Sequence, residues 1–224
     1  MRIDIVTIFP KFFDSIKHHS IIKRSIVKKK VEIFTHDLRD FSKNKQKSVD
    51  DYQFGGDPGM VLQVQPIDDC ISQLKSERDY CEVIYLSPCG KTLNQVECNR
   101  LSVLKNIILL CGNYKGIDQR AIDLHATKEI SIGDYVLTGG EFAASIVLDS
   151  IIRLIPGVIS NESSALFDSF QDNLLAHPIY SRPAVYKNLQ VPDVLLSGNT
   201  KKIEEWKEKQ IIKVTKNKRP DLLD

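Results

Sequence analysis

The feature that most constrains the fold of this 224-residue chain is a regular alternation of apolar and amphipathic segments between residues 67 and 154. Three apolar segments predict β-strands, at residues 83–86, 107–111 and 129–132. The segments around them predict helices, at residues 67–74, 94–104, 118–124 and 140–154. Strands that alternate with helices in this way form a parallel sheet covered on both faces. The sequence therefore predicts an α/β fold.

The N-terminal part begins with the same pattern and then departs from it. Residues 3–9 alternate like a strand, a helix is predicted from Pro10, and residues 31–35 predict a second strand. Residues 37–60 contain few apolar side chains and end in a glycine-rich run from Gly55 to Gly59. They predict one long loop, and loops of this length in compact domains usually have a function.

Composition divides the chain into three parts. Residues 1–159 hold the strand and helix alternation, and residues 160–173 begin with the small polar run Ser160-Asn161-Glu162-Ser163-Ser164, which is typical of a linker. Residues 174–224 predict a small helical domain, because apolar residues recur at helical spacing between Thr200 and Val214. We therefore expect a large α/β domain, an interdomain linker and a helical C-terminal domain.

Charge is concentrated in the C-terminal part. Residues 174–224 contain ten Lys/Arg and six Asp/Glu, a net charge of +4, whereas the whole chain has a formal net charge of +2. A basic domain on a near-neutral body favours a polyanionic partner such as RNA. The alternative is a solvated helix face that carries lysines without a partner.

The sequence contains no secretion or membrane signal that we recognise. Its N-terminus lacks the basic start and apolar core of a signal peptide, and no apolar run approaches the roughly 20 residues of a membrane span. The five cysteines form no CxxC pair. We therefore expect a cytoplasmic protein with reduced thiols, without zinc and without a membrane segment.

Three glycine-containing loops follow the three consecutive strands. They are Leu86-Ser87-Pro88-Cys89-Gly90, Cys111-Gly112-Asn113-Tyr114-Lys115-Gly116, and the run from Ile132 to Gly140. Ligands bind at the carboxyl ends of parallel strands, where glycine lets the backbone approach them. The loops thus predict a nucleoside-sized pocket, although βα connections favour glycine in any case. Gly90-Lys91-Thr92 is no P-loop because Tyr85 replaces its first glycine, and no GxGxxG follows a strand.

Longer segments resemble those of a known family. They are residues 50–61, 86–91, 111–118, 130–141, 153–158 and 168–170, followed by Tyr180-Ser181-Arg182-Pro183, Val191-Pro192 and Arg219-Pro220-Asp221-Leu222. In this order they are similar to the signature segments of the bacterial tRNA (guanine-N1)-methyltransferases of the SPOUT superfamily. The resemblance covers essentially the whole chain, and residues 130–141 are its most specific segment.

The resemblance implies a fold and a reaction. It implies a SPOUT-type parallel sheet with a C-terminal trefoil knot, a small helical C-terminal domain and an obligate homodimer. From the pattern alone we would expect an unknotted sheet, because true knots are rare. The implied reaction is methylation of N1 of the guanosine immediately 3′ of the anticodon in tRNA, with S-adenosylmethionine as methyl donor.

The resemblance also implies site residues. Asp168 is the expected general base for the guanine N1 proton, and Arg153 the expected stabiliser of negative charge on O6. A simpler interpretation makes Asp168 a helix N-cap and Arg153 a cation at a helix end. The expected cofactor-binding residues are Tyr85, Leu86, Ser87, Pro88, Gly90, Gly112, Tyr114, Ile132, Gly133, Asp134, Tyr135, Val136, Leu137, Gly139 and Gly140.

Some positions depart from the family's pattern. Lys115 and Ala176 replace residues that are usually acidic, Asp57 replaces a glycine, and Thr200 stands where histidine is common. Because magnesium requires oxygen ligands, we name no metal ligand and expect weak magnesium dependence. One alternative is an RNA-binding protein that has lost catalysis. Another is an rRNA methyltransferase, which the C-terminal match disfavours.

Overall fold

The computed structural model describes residues 1–159 and 168–223. Contacts divide the chain into two compact units, Met1–Ser160 and Asn161–Asp224. Most of the predicted linker, residues 160–167, lies outside the described residues, and residues 168–173 belong to the second unit.

The first unit is built on a five-stranded sheet in the order β2-β1-β6-β5-β7, in which every neighbouring pair is parallel. Its strands are β1 (Arg2–Thr7), β2 (Glu32–Asp37), β5 (Glu82–Thr92), β6 (Asn106–Cys111) and β7 (Lys128–Ser131). The predicted α/β fold with a parallel sheet is confirmed.

Helices cover both faces of this sheet. They are α1 (Phe12–Lys17), α2 (Ser20–Val27), α3 (Val64–Glu77), α4 (Gln95–Ser102), α5 (Gln119–His125) and α6 (Gly140–Ile152). Successive residues of β6 point to opposite faces, so Ile107 packs with α1, α2, α4 and α6, and Ile108 packs with α3 and α5. This two-sided burial explains why the central strands are continuous apolar runs.

The prediction of one long loop at residues 37–60 is wrong in part. It contains a 3-10 helix, Leu38–Phe41, and an antiparallel hairpin of β3 (Asp50–Tyr52) and β4 (Met60–Leu62). Each strand has three residues, which is too short for a periodic signal in the sequence. The glycine-rich run connects the two strands, so these glycines form the hairpin tip.

Strand β5 is longer than its prediction, which ended at residue 86. It continues to Thr92 and pairs again with β7 after a register shift between Leu86 and Lys91. A Cβ atom added to Gly90 would lie 2.5 Å from the backbone carbon of Glu129. The backbones meet closely here because Gly90 has no side chain. The expected loop is an irregular stretch of strand.

The second unit is mainly helical. It contains α7 (Asp193–Leu196), α8 (Thr200–Lys218), a hairpin of β8 (Val185–Tyr186) and β9 (Leu189–Gln190), and 3-10 helices at Gln171–Asn173 and Pro220–Leu222. Trp206 of α8 lies near the rings of His177 and Tyr180, and the Leu175 amide donates to the Thr215 hydroxyl at 2.9 Å. Within the described residues, no helix is both long and apolar enough to cross a membrane.

Candidate active site

A pocket in the first unit lies where the three predicted loops meet. Its walls come from the irregular part of β5, the turn after β6 and the segment between β7 and α6. The Gly140 amide donates to the Gly112 carbonyl at 2.7 Å, and Asn113 forms an isolated bridge with Gly139. These backbone contacts join the second and third loops at the carboxyl end of the sheet.

Thirteen of the fifteen expected cofactor-binding residues line this pocket. They are Tyr85, Leu86, Ser87, Pro88, Gly112, Tyr114, Ile132, Gly133, Tyr135, Val136, Leu137, Gly139 and Gly140. Gly90 and Asp134 are not among the lining residues. Gly90 lies instead at the close contact between β5 and β7.

Seven lining residues were missing from the expected set. They are Asn113, Lys115, Gly116, Ile130, Ser131, Thr138 and Ala143. Four of them lie inside the loops that the glycine pattern had already identified. The three loops as whole segments therefore predicted the lining of the pocket better than the individual residues chosen within them. Ile130 and Ser131 end β7, and Ala143 lies in the first turn of α6, where the sequence reads as buried core.

The pocket has mostly backbone and apolar walls. A Cβ atom on Gly140 would lie 2.9 Å from the Cys111 Cα, so the start of α6 packs directly on the end of β6. Among the described residues that line the pocket, the only acidic or basic side chain is that of Lys115. Backbone amides and carbonyls, a few hydroxyls and apolar side chains suit a nucleoside-sized ligand.

A buried polar network lies behind the pocket. The Thr7 hydroxyl donates to Glu141 Oε1 at 2.6 Å, and Asn113 Nδ2 donates to Glu141 Oε2 at 3.1 Å. Thr7, Asn113 and Glu141 are each less than a tenth exposed. The network ties the end of β1 to the second loop and to α6, so it fixes the wall of the pocket.

Tyr85 and Tyr114, two of the three tyrosines among the described residues that line the pocket, are poor candidates for a base. Burial raises the pKa of Tyr85 to about 12. Burial, followed by the charge of Asp50, raises the pKa of Tyr114 as well. Both phenols therefore stay protonated at neutral pH.

Arg153 and Asp168 do not line this pocket. Arg153 is the C-cap residue of α6 in the first unit, a position that also fits the simpler interpretation. Asp168 belongs to the second unit, where it lines a separate cavity with Ala176, His177 and Lys207. The cap of the 3-10 helix that follows is Phe170, so Asp168 is not its N-cap.

No group of three or more His, Cys, Asp or Glu side chains that could hold a metal ion occurs within residues 1–159 and 168–223.

Comparison with known proteins identifies the family. The model of the family described as tRNA (Guanine-1)-methyltransferase TrmD matches residues 1–224. The chain belongs to this family. Its membership of the tRNA (guanine-1)-methyltransferases confirms the resemblance that the sequence motifs indicated, and it makes the chain a methyltransferase, an enzyme that uses a methyl donor.

Relatives in the tRNA (guanine-1)-methyltransferase family match along their whole length. The protein named tRNA (guanine-N(1)-)-methyltransferase in Flavobacterium psychrophilum is 62% identical over 224 residues, which is 100% of both chains. The protein of the same name in Flavobacterium johnsoniae is 61% identical over 100% of this chain and 99% of its own. The one in Bacteroides thetaiotaomicron is 55% identical over 100% of both chains.

Proposed function

We propose that this chain methylates N1 of the guanosine immediately 3′ of the anticodon in tRNA, with S-adenosylmethionine as the donor. The observation that carries the proposal is the pocket at the carboxyl ends of β5, β6 and β7 in a chain that matches the family over its full length. Because mature tRNA is found in the cytoplasm, we propose that the enzyme acts there.

S-adenosylmethionine supplies an electrophilic methyl group on a sulfonium centre. The lining residues would hold its adenine and ribose by backbone groups. Gly112, Gly139 and Gly140 let the loops pack closely enough to form this wall, because a Cβ atom on any of them would lie less than 3.0 Å from a neighbouring atom. Gly90 would act indirectly by setting the path of β5, and Asp134 by its place in the third loop.

Asp168 and Arg153 are the proposed catalytic residues. The protonated guanine N1 has no in-plane lone pair, so Asp168 accepts its proton as general base. The negative charge that develops on guanine O6 is stabilised by the fixed guanidinium of Arg153. Arg153 belongs to the first unit and Asp168 to the second, and we propose that tRNA binding completes the site.

The second unit is the proposed tRNA-docking domain. Lys201, Lys202, Lys209, Lys213 and Lys216 of α8 are exposed. At 100° per residue they lie within about 120° of one another on one helix face. Lys207 lies on another face and is partly buried beside Asp168. The exposed Glu205 lies on the same face, so five lysines and one glutamate give the stripe a net charge of +4. A basic stripe of this kind suits the phosphates of RNA.

A homodimer is the proposed active form, with the base supplied by Asp168 of the partner subunit. A cleft with Ile8, Phe9, Phe12 and Phe142 among its lining residues adjoins the pocket. It shares Asn113, Tyr114, Thr138 and Gly139 with the pocket. Phe9 and Phe142 are about half exposed, which a second copy would cover.

The remaining parts of the proposal follow the family resemblance. We propose that the pocket lies in a trefoil knot, which the backbone contacts between the second and third loops support. We propose that residues 1–159 form the catalytic domain, residues 160–173 the linker and residues 174–224 the helical tRNA-binding domain. Because Lys115 and Ala176 provide no oxygen ligand, we propose weak magnesium dependence, so chelation should leave most of the activity.

A catalytically inactive RNA-binding protein is the second candidate. Lys115 and Ala176 favour it, because both stand where the family usually has acidic residues. Asp168 and Arg153 favour the enzyme, since a protein that only binds RNA needs neither a base nor an oxyanion stabiliser.

The decisive experiment uses methyl-labelled S-adenosylmethionine and unmodified tRNA. We expect label in 1-methylguanosine at the position 3′ of the anticodon, and no label when that guanosine is replaced by adenosine. Binding of both ligands without any transfer would favour the RNA-binding candidate. Label in rRNA but not in tRNA would overturn the proposed substrate.

A further inference from the structure

Lys115 holds a fixed position in the wall of the pocket. Its amide donates to the Met60 carbonyl at 3.0 Å, so the second loop is tied to β4. Its side chain lies across the hairpin tip, where a Cβ atom added to Gly59 would be 2.7 Å from the Lys115 Cγ. The alkyl part of the side chain is therefore packed, and the ammonium group is at its exposed end.

The charge of this ammonium is not neutralised within the described residues. Lys43, Lys47 and Lys128 each form an ion pair with a carboxylate, whereas Lys115 forms none with any residue in 1–159 or 168–223. Among the described residues that line the pocket, none of the other side chains is acidic or basic. Lys115 thus adds a positive charge to the wall of the pocket. The carboxylate of Glu141 lies behind that wall, where it is buried and accepts hydrogen bonds from Thr7 and Asn113.

The proposed reaction changes the charge of the ligand in this pocket. The methyl group leaves sulfur for guanine N1, the sulfur keeps the electron pair of the broken bond, and the N1 proton passes to Asp168. S-adenosylmethionine thereby loses its sulfonium charge and becomes the neutral thioether S-adenosylhomocysteine. The adenosine and the amino acid group are the same in both ligands, so the charge on sulfur is the main electrostatic difference between them.

We propose that Lys115 sets the preference of the pocket between donor and product, an inference that rests on the proposed function. Its ammonium repels the sulfonium of the donor and leaves the thioether of the product unaffected. The pocket therefore favours S-adenosylhomocysteine, and methylation by this chain responds to the ratio of donor to product. Lys115 acts as a specificity-determining residue for the ligand and takes no part in the transfer itself.

Calorimetry on the full-length protein tests this, with S-adenosylmethionine, S-adenosylhomocysteine and an analogue that carries a protonated amine in place of the sulfonium. In Lys115→Gln we expect the affinity ratio of each cationic ligand to S-adenosylhomocysteine to rise about three- to tenfold, and in Lys115→Glu to rise further. The effect should shrink in high salt, which screens the charge.

Lys91→Gln is the matched control, since Lys91 is an exposed lysine on β5 that does not line the pocket. Its affinity ratio should stay at the wild-type value. A ratio that is unchanged in both Lys115 variants, or that changes equally in Lys91→Gln, overturns the inference. Failure of the wild-type protein to bind any of the three ligands overturns the proposed function instead.

Discussion

At the residue scale, Asp168 separates the enzyme from the RNA-binding candidate. Its carboxylate is the proposed acceptor of the guanine N1 proton. Asp168→Asn keeps the size and polarity of the side chain but cannot take that proton. We expect its single-turnover methylation rate to fall by about 10²–10⁴-fold, with little change in S-adenosylmethionine affinity.

Arg153→Ala is the companion variant. Its single-turnover methylation rate should fall by about 10²–10³-fold, because Arg153 is the proposed stabiliser of charge on guanine O6. Both rates are measured at saturating tRNA and donor, which isolates the chemical step from product release. If the Asp168→Asn variant methylates tRNA at the wild-type rate, another group is the base.

Asp4 makes a second prediction at this scale, one about stability. Asp4 is fully buried in β1 and accepts hydrogen bonds from Arg2, His36 and Tyr80. Burial alone would raise its pKa, but these hydrogen bonds outweigh burial and lower the pKa to about 2 from 3.8. Because the folded-state pKa is below the unfolded value, Asp4 contributes stability above pH 4 that is lost as the pH falls towards 2.

The expected contribution is about 2 kcal/mol in the free energy of unfolding. Urea unfolding at pH 6 and at pH 2.5 measures it. In Asp4→Asn, the loss of stability between these two pH values should be smaller than in wild type, whereas Asp123→Asn, at an exposed site on α5, should keep the wild-type difference. An equal pH dependence in all three proteins would contradict the prediction.

At the scale of secondary-structure elements, the sequence correctly predicted the segments that have a uniform pattern of burial. Strand β6 is buried on both faces and reads as a continuous apolar run, so its prediction at residues 107–111 is within one residue of the structure. The hairpin of β3 and β4 was missed because its strands are short and partly polar. The extension of β5 was missed because Pro88 and Gly90 indicate a turn, and only pairing with β7 keeps the segment extended.

The close contact at Gly90 makes the third prediction. In Gly90→Ala the new methyl group would overlap the backbone of Glu129 and Ile130, so β5 and β7 must move apart. We expect a loss of about 1–3 kcal/mol in stability, the usual cost of overpacking, and weaker donor binding because the same stretch of β5 lines the pocket. Thermal unfolding and calorimetry measure the two effects.

Cys89→Ala is the control for that experiment, because Cys89 is the exposed neighbour of Gly90 and does not line the pocket. It should change stability by less than about 0.5 kcal/mol. If Gly90→Ala is as stable as Cys89→Ala, the contact between the strands is looser than the structure indicates.

Helix α8 makes the fourth prediction. Replacing Lys201, Lys202 and Lys209 by glutamine should weaken tRNA binding and flatten its dependence on salt, by about 0.7–0.9 in slope for each phosphate that is no longer neutralised. Lys218→Gln is the control, because Lys218 is exposed on another face of the same helix and does not line the cavity that holds Asp168. Filter binding over a range of salt concentrations compares its effect with one third of the effect of the triple variant. If the Lys218→Gln effect is as large as that third, or if the triple variant has no effect, the lysines of the stripe are only solvent-exposed charges.

At the scale of the whole molecule, the sequence predicted which loops form the pocket but not how the sheet is ordered. Strands β5, β6 and β7 are consecutive in the chain, yet β6 lies between β1 and β5, and β7 pairs on the far side of β5. This order depends on pairings between distant residues, which periodicity along the chain does not record. The glycine pattern succeeded because the second and third loops follow the carboxyl ends of β6 and β7, whatever the order of the strands. The first loop is an irregular stretch within β5 that lines the same pocket.

The last prediction concerns assembly. The cleft beside the pocket leaves Phe9 and Phe142 about half exposed, and the Phe142 ring packs against that of Phe12, with 4.9 Å between the ring centroids. A second copy that covers this cleft would bury both aromatic rings, so we expect a homodimer in sedimentation velocity.

Phe142→Glu places a charge in the proposed interface and should yield a folded monomer, since the carboxylate can point to solvent in the free chain. Val96→Glu, on an exposed position of α4 outside the cleft, should remain dimeric. Because the proposed base comes from the partner subunit, the Phe142→Glu monomer should bind S-adenosylmethionine and lose methylation. A wild-type protein that sediments as an active monomer would rule out the shared site, and an active Phe142→Glu dimer would place the interface elsewhere on the molecule.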